Sequence, residues 1–318
     1  MLLIITDRND FTADYVIAFL IEKGLPYTRL NSEDIGDADV HLLFKSSGNS
    51  RSLRIVDVKI DINAITSIWY RRRFFPKVPS FVRRTDQEFA FGELIHLFEG
   101  LLPGPETHWV DYPAKVWRAE RKLQQLVVAP HFGFKIPDTQ VSTDPISLRQ
   151  FYKKCDGEVV CKPIFRGLHV QGKEAKAAYT HKVCDLELDE ISENKIFPTL
   201  LQKRIRKIKD LRITIVGQQF FGVEILTSTD IIDWREPDAS PNYRCFDVHS
   251  NLMNRCLAFL KYFGLSYGAF DFAVSKNGTV FFLELNAVGE WAWLDRELNL
   301  GIRPTLIQHL YKKSEECV

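Results

Sequence analysis

The chain has 318 residues, 45% of them hydrophobic, which suffices for a sizeable core and two or three subdomains. Its 42 basic residues against 41 acidic ones leave a formal charge of +1, which excludes a global field drawing the chain to nucleic acid or an anionic membrane. The six cysteines (155, 161, 184, 245, 256, 317) form no C-x-x-C pair, the start M-L-L-I-I-T-D lacks the basic region of a signal peptide, and no apolar run approaches a membrane span, so a cytoplasmic protein is expected.

Strand Leu2–Thr6 leads into a helical pattern with Val16, Phe19 and Leu20 on one stripe, stopped by Gly24 and Pro26. Strands are predicted at Tyr27–Leu30, His41–Phe44, Leu53–Val58 and Ser67–Tyr70, with a helix at Asp86–Leu101, as in a small open α/β domain. The clearest break is L-P-G-P at 102–105. A helix is predicted over Lys115–Ala129 and a strand over Thr139–Val141; Asp144 then caps a helix whose first residue is Pro145. Strand Glu158–Lys162, a loop at 163–176, an acidic helix-prone segment at 185–193 and strand Thr199–Ile205 follow. A hairpin of Arg212–Val216 and Phe220–Ile225 turns at 217–219, and Val248, Leu252, Cys256, Phe259, Leu260 and Phe263 mark one face of a helix. Lys276, Asn277 and Gly278 turn a second hairpin, and a terminal helix lies near Pro304–Tyr311.

The second hairpin carries the chemistry. Side chains alternate along a strand, so Glu284 and Asn286 share a face that Asp271 joins from the partner strand, while Phe270, Phe272, Leu283 and Leu285 fill the other. Three hard oxygen donors suit Mg²⁺; a surface hairpin with polar residues on its wet side is the plainer alternative. Lys162 ends the apolar strand V-V-C-K-P, where a rigid strand places a point charge on a phosphate with little side-chain search. Lys122, on a helix, reads most simply as an exposed lysine when taken alone. The loop after Lys162 holds Arg166, Gly167, His169, Gly172 and Lys173 and is not a P-loop.

A lysine on a helix, V-C-K-P ending a strand, Q-K-R-I ending another, D-L-R entering a hairpin and then D…E-L-N occur in that order from Lys122 to Asn286. This resembles the ATP-grasp superfamily of carboxylate-amine ligases, from about Trp109 to the C-terminus. Within it, I-W-Y-R-R-R (68–73), I-P-D-T-Q-V-S-T-D-P (136–145), D-W-R-E (233–236) and E-L-N-A-V-G-E-W-A-W-L (284–294) are most similar to the graspetide macrocyclases of the microviridin type, which crosslink ribosomally made peptides. The resemblance implies an α/β (α+β) ATP-grasp fold: a pre-ATP-grasp domain at 1–108 and two subdomains, 109–197 and 198–318, that clamp ATP. It assigns ATP phosphates to Lys122 and Lys162, and the adenine edge to the Lys203 carbonyl and the Ile205 N–H in Gln202-Lys203-Arg204-Ile205. It gives the ribose to Asp210, the transferring phosphoryl group to Arg212, and Mg²⁺ to Asp271, Glu284 and Asn286. The chain departs from the pattern in having no adjacent glycines at 163–176, in Lys203 where an acid is common, and in Glu290 where close relatives often carry Gln; the last is either a further metal or substrate contact or a surface acid.

The activity implied is phosphorylation of an Asp or Glu side chain of a precursor peptide, with leader and acidic core, followed by attack of a Thr/Ser hydroxyl or Lys amine, without an enzyme nucleophile. From Ile62 to Thr85 there are six basic residues and no acidic one, and Arg71, Arg72 and Arg73 are the candidate partners for an acidic peptide. Asp233, Trp234 and Arg235 are candidates for the rim of the same cleft. Nucleic acid and membrane are not expected as partners; a homodimer is the commonest symmetric assembly. The alternatives are a ligase adding an amino acid to a protein or peptide tail, and a nucleotide-binding module without catalysis.

Overall fold

The structure is a computed structural model that describes residues 1–46, 48–55, 58–72, 75–104, 107–165, 168–171, 174–177, 179–184, 197–228 and 231–312, with backbone alone at 45, 48–55, 58–59, 168–171 and 174–177. The chain forms two compact units: Met1–Val116 with Gly264–Tyr267 and Val288–Val318, and Trp117–Phe263 with Gly268–Ala287. Three consecutive segments were expected. That the last stretch belongs with the first unit has no local signature in the sequence.

The first unit begins with β1 (Leu2–Thr6), whose five residues are all buried, as a central parallel strand requires. Asp10 caps α1 (Phe11–Glu22) by accepting a bond from the Ala13 N–H at 3.1 Å. Then come β2 (Tyr27–Asn31), β3 (Asp39–Lys45), β4 (Gly48–Ile55), β5 (Val58–Asp61), β6 (Ser67–Tyr70), α2 (Gln87–Leu101) and β7 (His108–Val110). The parallel sheet runs β2-β1-β6-β7, and β3-β4-β5 form a separate antiparallel sheet.

The helix expected over 115–129 is two helices, α3 (Pro113–Ala119) and α4 (Lys122–Val128). The side-chain amide of buried Gln125 donates to the Ala119 carbonyl at 2.6 Å, closing the end of α3 where a continuous helix would have used backbone. Next come β8 (Thr139–Ser142), α5 (Pro145–Lys154), β9 (Val159–Lys162), β10 (Leu168–Gln171), β11 (Glu174–Ala177), β12 (His181–Lys182) and β13 (Thr199–Lys203). Asp144 caps α5 as expected, accepting from the N–H groups of Ile146 and Ser147. The loop at 163–176 contains the β10–β11 hairpin, and the segment 185–193 lies outside the described residues. An antiparallel sheet β12-β9-β13-β8 buries Val159 and Leu201 on one face, against Leu148 and Phe151 of α5.

The second sheet of this unit is β16-β15-β14-β17-β18, from β14 (Lys207–Val216), β15 (Gln219–Leu226), β16 (Asn242–Phe246), β17 (Tyr267–Ser275) and β18 (Val280–Asn286). Helix α6 (Ser250–Phe263) precedes β17 and contributes Phe259 to an aromatic cluster with Phe134, Phe270 and Phe282. After β18 the chain adds α7 (Ala292–Leu298) and α8 (Ile302–Leu310) to the first unit, where Asp295 accepts from the N–H groups of Ile302 and Arg303 at the start of α8. Among the described residues no helix is long and apolar enough to cross a membrane.

Candidate functional site

The hairpin β17–β18 departs from simple alternation at one point. Asp271 lies opposite Glu284, yet Phe272 lies opposite Phe282, so Leu283 is the extra residue of a β-bulge. The bulge reverses the facing of everything before it. Phe282 is fully buried beside Phe270, Phe272 and Leu285, while Leu283, expected on that face, is only half-buried. Glu284 and Asn286 keep the shared face with Asp271: the Asn286 amide Nδ2 donates to Asp271 Oδ2 at 3.1 Å and to Glu284 Oε1 at 3.3 Å.

This polar trio is ringed by cations. Arg212, 3% exposed on β14, donates through one nitrogen to both oxygens of Asp271 at 2.8 and 3.1 Å. Arg235 reaches Asp271 Oδ2 at 2.7 Å and Glu284 Oε1 at 3.6 Å. Lys122, at the start of α4, stands 3.4 Å from Glu284 Oε2 and donates to the Pro163 carbonyl at 3.1 Å. Burial opposes charge on Glu284, but Lys122, Arg235, Lys162 and the Asn286 bond outweigh it and hold its carboxyl at about 2. Burial depresses the Lys162 ammonium to about 8, against the pull of Glu284 and with the repulsion of Lys122 and Arg235.

Two residues that sequence reasoning passed over organise these groups. Gln125, one turn after Lys122, donates to the Leu285 carbonyl and accepts from the Leu285 N–H, both at 2.8 Å, so a side-chain amide completes the outer edge of β18 between the two ligand positions. Lys207 donates to Asp210 Oδ2 at 2.5 Å and to the Ile232 carbonyl at 2.7 Å. Burial, helped by Asp271 and Asp233 and resisted by Lys207, raises the Asp210 carboxyl to about 6. A glutamine among the apolar residues of a helix and a lysine three residues before an aspartate are the signals the sequence carries for them.

The remaining expected site residues of this unit are distributed as follows. Gln202 is buried, donating to Thr139 Oγ1 at 2.8 Å, whereas Lys203 is exposed and its N–H bonds the Asp138 carbonyl at 2.8 Å; Ile205 is half-buried. Asp233 accepts from the N–H groups of Thr180 and Arg235, and the Arg235 guanidinium lies 4.7 Å over the Trp234 ring. A cavity of about 1010 Å³ is lined by Lys162, Phe165, Tyr179, Phe197, Ile232 and Glu236, among others. Arg166, Gly167, Gly172 and Lys173 lie outside the described residues, as does the side chain of His169.

In the first unit, Arg71 is not the exposed cation expected of it. It is 1% exposed, with its guanidinium on Asp10 at 3.1 Å, on Glu290 at 2.9 Å and on the carbonyls of Val288 and Gly289. Arg72 is one-third exposed and pairs with Glu290 and Asp7. Glu290 is therefore no idle surface acid: Arg71, Arg72 and Thr12 all bond it, because a carboxylate beside a buried guanidinium balances its charge. Arg73 lies outside the described residues.

The donor set fits Mg²⁺, which takes one or two carboxylates and leaves the rest of its octahedron to water and phosphate oxygens. Among the described residues no three His, Cys, Asp or Glu side chains gather into a group that could hold a metal ion by themselves. The fold is that of the ATP-grasp ligases, to which the chain is similar over its whole length. Residues 1–117 match the family model of the MvdD pre-ATP grasp domain. Over its whole length the chain is similar to macrocyclase MdnC of Microcystis aeruginosa MRC, solved with precursor peptide MdnA, at 28% identity and a TM-score of 0.86, covering 98% of this chain and 99% of that one. It is also similar to a RiPP-associated ATP-grasp ligase of Chryseobacterium gregarium, solved with ADP and a leader and core peptide (25% identity, TM-score 0.82, 97% and 96% covered). Macrocyclase MdnB of M. aeruginosa MRC matches at 27% identity and TM-score 0.80, with 98% of both chains covered. No curated protein sequence matches significantly. The resemblance to peptide-crosslinking ATP-grasp enzymes read from the sequence is borne out.

Proposed function

We propose that the chain is an ATP-dependent macrocyclase that activates Asp or Glu side chains of a ribosomal precursor peptide and joins them to Thr or Ser hydroxyls, or to Lys amines. The observation that carries this reading is the full-length likeness to enzymes solved with precursor peptides. The converging charges of the second unit supply its chemistry. Lys122 and Lys162 would hold nucleotide phosphates, Gln202, Lys203 and Ile205 would frame the adenine, and Asp210, kept ionised above pH 6, would accept from the ribose hydroxyls. Mg²⁺ held by Asp271, Glu284 and Asn286 would supply charge neutralisation at the phosphates.

A carboxylate is inert to amines and alcohols because its leaving group would be an oxide. Attack of the substrate carboxylate oxygen on the γ-phosphorus breaks the bond to ADP and makes an acyl phosphate. The hydroxyl or amine then bonds to the acyl carbon, phosphate leaves, and the nucleophile loses its proton, so each ring costs one ATP and removes one water. Arg212, fixed on a buried strand, is the preorganised charge facing that transfer. Asp233, Trp234 and Arg235 are the proposed peptide contacts. Arg71 is withdrawn from that role by its burial, and Arg72 carries its charge into the Glu290 pair. ATP and ribosomal precursors meet in the cytoplasm, where the enzyme would act.

The test is mass spectrometry of an acidic peptide with a leader, incubated with the protein, ATP and Mg²⁺. Successive losses of one water with one ADP per loss are expected. A gain of one amino-acid residue would establish tail addition instead, and ATP binding without ADP release would leave a non-catalytic module.

A further inference from the structure

Oxygen Oδ2 of Asp271 is oversubscribed. It receives Arg235 at 2.7 Å, Arg212 and Asn286 each at 3.1 Å, and a carboxylate oxygen has only two lone pairs to offer. A metal ion bound through this oxygen must displace one of the donors. Arg212 is 3% exposed within a sheet and holds Asp271 through both carboxylate oxygens, so it has nowhere to go. Arg235 differs on each count. It is carried by the connection between β15 and β16, its side chain is 38% exposed, and it already touches groups that could keep it after it leaves the carboxylates: Asp233 Oδ1 at 3.4 Å and the Trp234 ring at 4.7 Å.

Resting on the assignment of Asp271, Glu284 and Asn286 to the metal, we propose that Arg235 is an exchangeable counter-ion: it neutralises Asp271 and Glu284 until a divalent cation takes its place, whereupon the guanidinium withdraws onto Asp233 and Trp234. The balance of charge supports the exchange. Two ionised carboxylates on adjoining strands repel each other, and a guanidinium reaching both keeps them converged in the absence of metal. The exchange also links metal loading to the position of the 233–235 segment, because the arginine that leaves the carboxylates is the arginine that lies over Trp234.

The experiment uses the whole chain without nucleotide. Mn²⁺ affinity is measured by the electron paramagnetic resonance signal of the free ion, and Trp234 is followed by fluorescence during a Mg²⁺ titration. In Arg235→Gln, with its competitor gone, Mn²⁺ should bind about tenfold tighter, the worth of one charge-assisted hydrogen bond. The Mg²⁺-dependent fluorescence change should occur in the parent protein, disappear in Trp234→Phe with metal affinity retained, and disappear in Arg235→Gln. Unaltered Mn²⁺ affinity in Arg235→Gln, or a Mg²⁺ response that survives in Trp234→Phe, overturns the exchange. Asp271→Asn separates this from failure of the metal assignment: if Mn²⁺ affinity does not fall there, the site itself is misassigned and the exchange falls with it.

Discussion

Raising the pH should weaken nucleotide binding through Lys162 alone. Burial, together with the nearby charges of Lys122 and Arg235, lowers its ammonium to about 8 despite the attraction of Glu284 and Asp233. About nine in ten molecules then carry the proton at pH 7 and about one in ten at pH 9. If only the protonated form grips phosphate, the apparent Kd for an ATP analogue rises by about tenfold between those values. Titration of Lys162 does not itself unfold the chain as pH rises. Between about pH 8 and the ordinary lysine value the unfolded chain binds more protons at this position than the folded one, so this group makes the fold more stable, not less, as pH rises. Isothermal titration calorimetry without peptide reads the effect, and Lys162→Gln should give a flat profile at or below the weak, high-pH affinity. A flat profile in the parent chain, or a slope that survives in Lys162→Gln, would refute the argument.

Arg212→Ala should keep the fold and abolish ADP formation with peptide present; full turnover would sink its assignment, and a melting curve checks that the variant is folded. Arg71→Ala should destabilise the protein by about 3 kcal/mol, since it removes the guanidinium nearest to the wholly buried carboxylate of Asp10 and leaves it, among the described residues, only Arg72 at 3.7 Å as a cation. Chemical denaturation reads that loss, and a variant with normal stability but impaired peptide binding would restore the surface role. Asp111 accepts from the Ser266 N–H and hydroxyl just before β17 and from the N–H of Tyr267, its first residue, so Asp111→Ala should cost about 2 kcal/mol in the same assay. A Cβ at Gly222 would stand 2.6 Å from the Phe246 carbonyl oxygen in the β15–β16 pairing, so Gly222→Ala should lower the melting temperature, by about 1–3 kcal/mol of stability.

Much of the fold is local and therefore legible. The all-apolar run L-L-I-I announces a doubly covered strand, Asp144-Pro145 announces a helix start, and Asn277-Gly278 announces the hairpin that holds Asp271 and Glu284. These signals act over a few residues, through backbone dihedrals and side-chain period, and they survive in any tertiary setting. The ordered set Lys122, Lys162, Asp210, Arg212, Asp271, Glu284 and Asn286 was readable as a site only through its resemblance to a family, since Lys122 taken alone reads as an exposed helix lysine.

What the tertiary structure decided is the partner of each charge. Nothing near Arg71 in sequence says that Asp10 and Glu290 will meet it, yet that meeting converts an apparent surface cation into a buried one. The bulge at Leu283, which exchanges it with Phe282, depends on how β17 and β18 slide to bury aromatic rings. Gln125 serves the outer edge of β18, where among the described residues no second strand pairs at Leu285. Alternation and capping are set between neighbours in the chain, whereas electrostatic pairing and strand register are set by distance in space, and only the folded molecule brings those distances about.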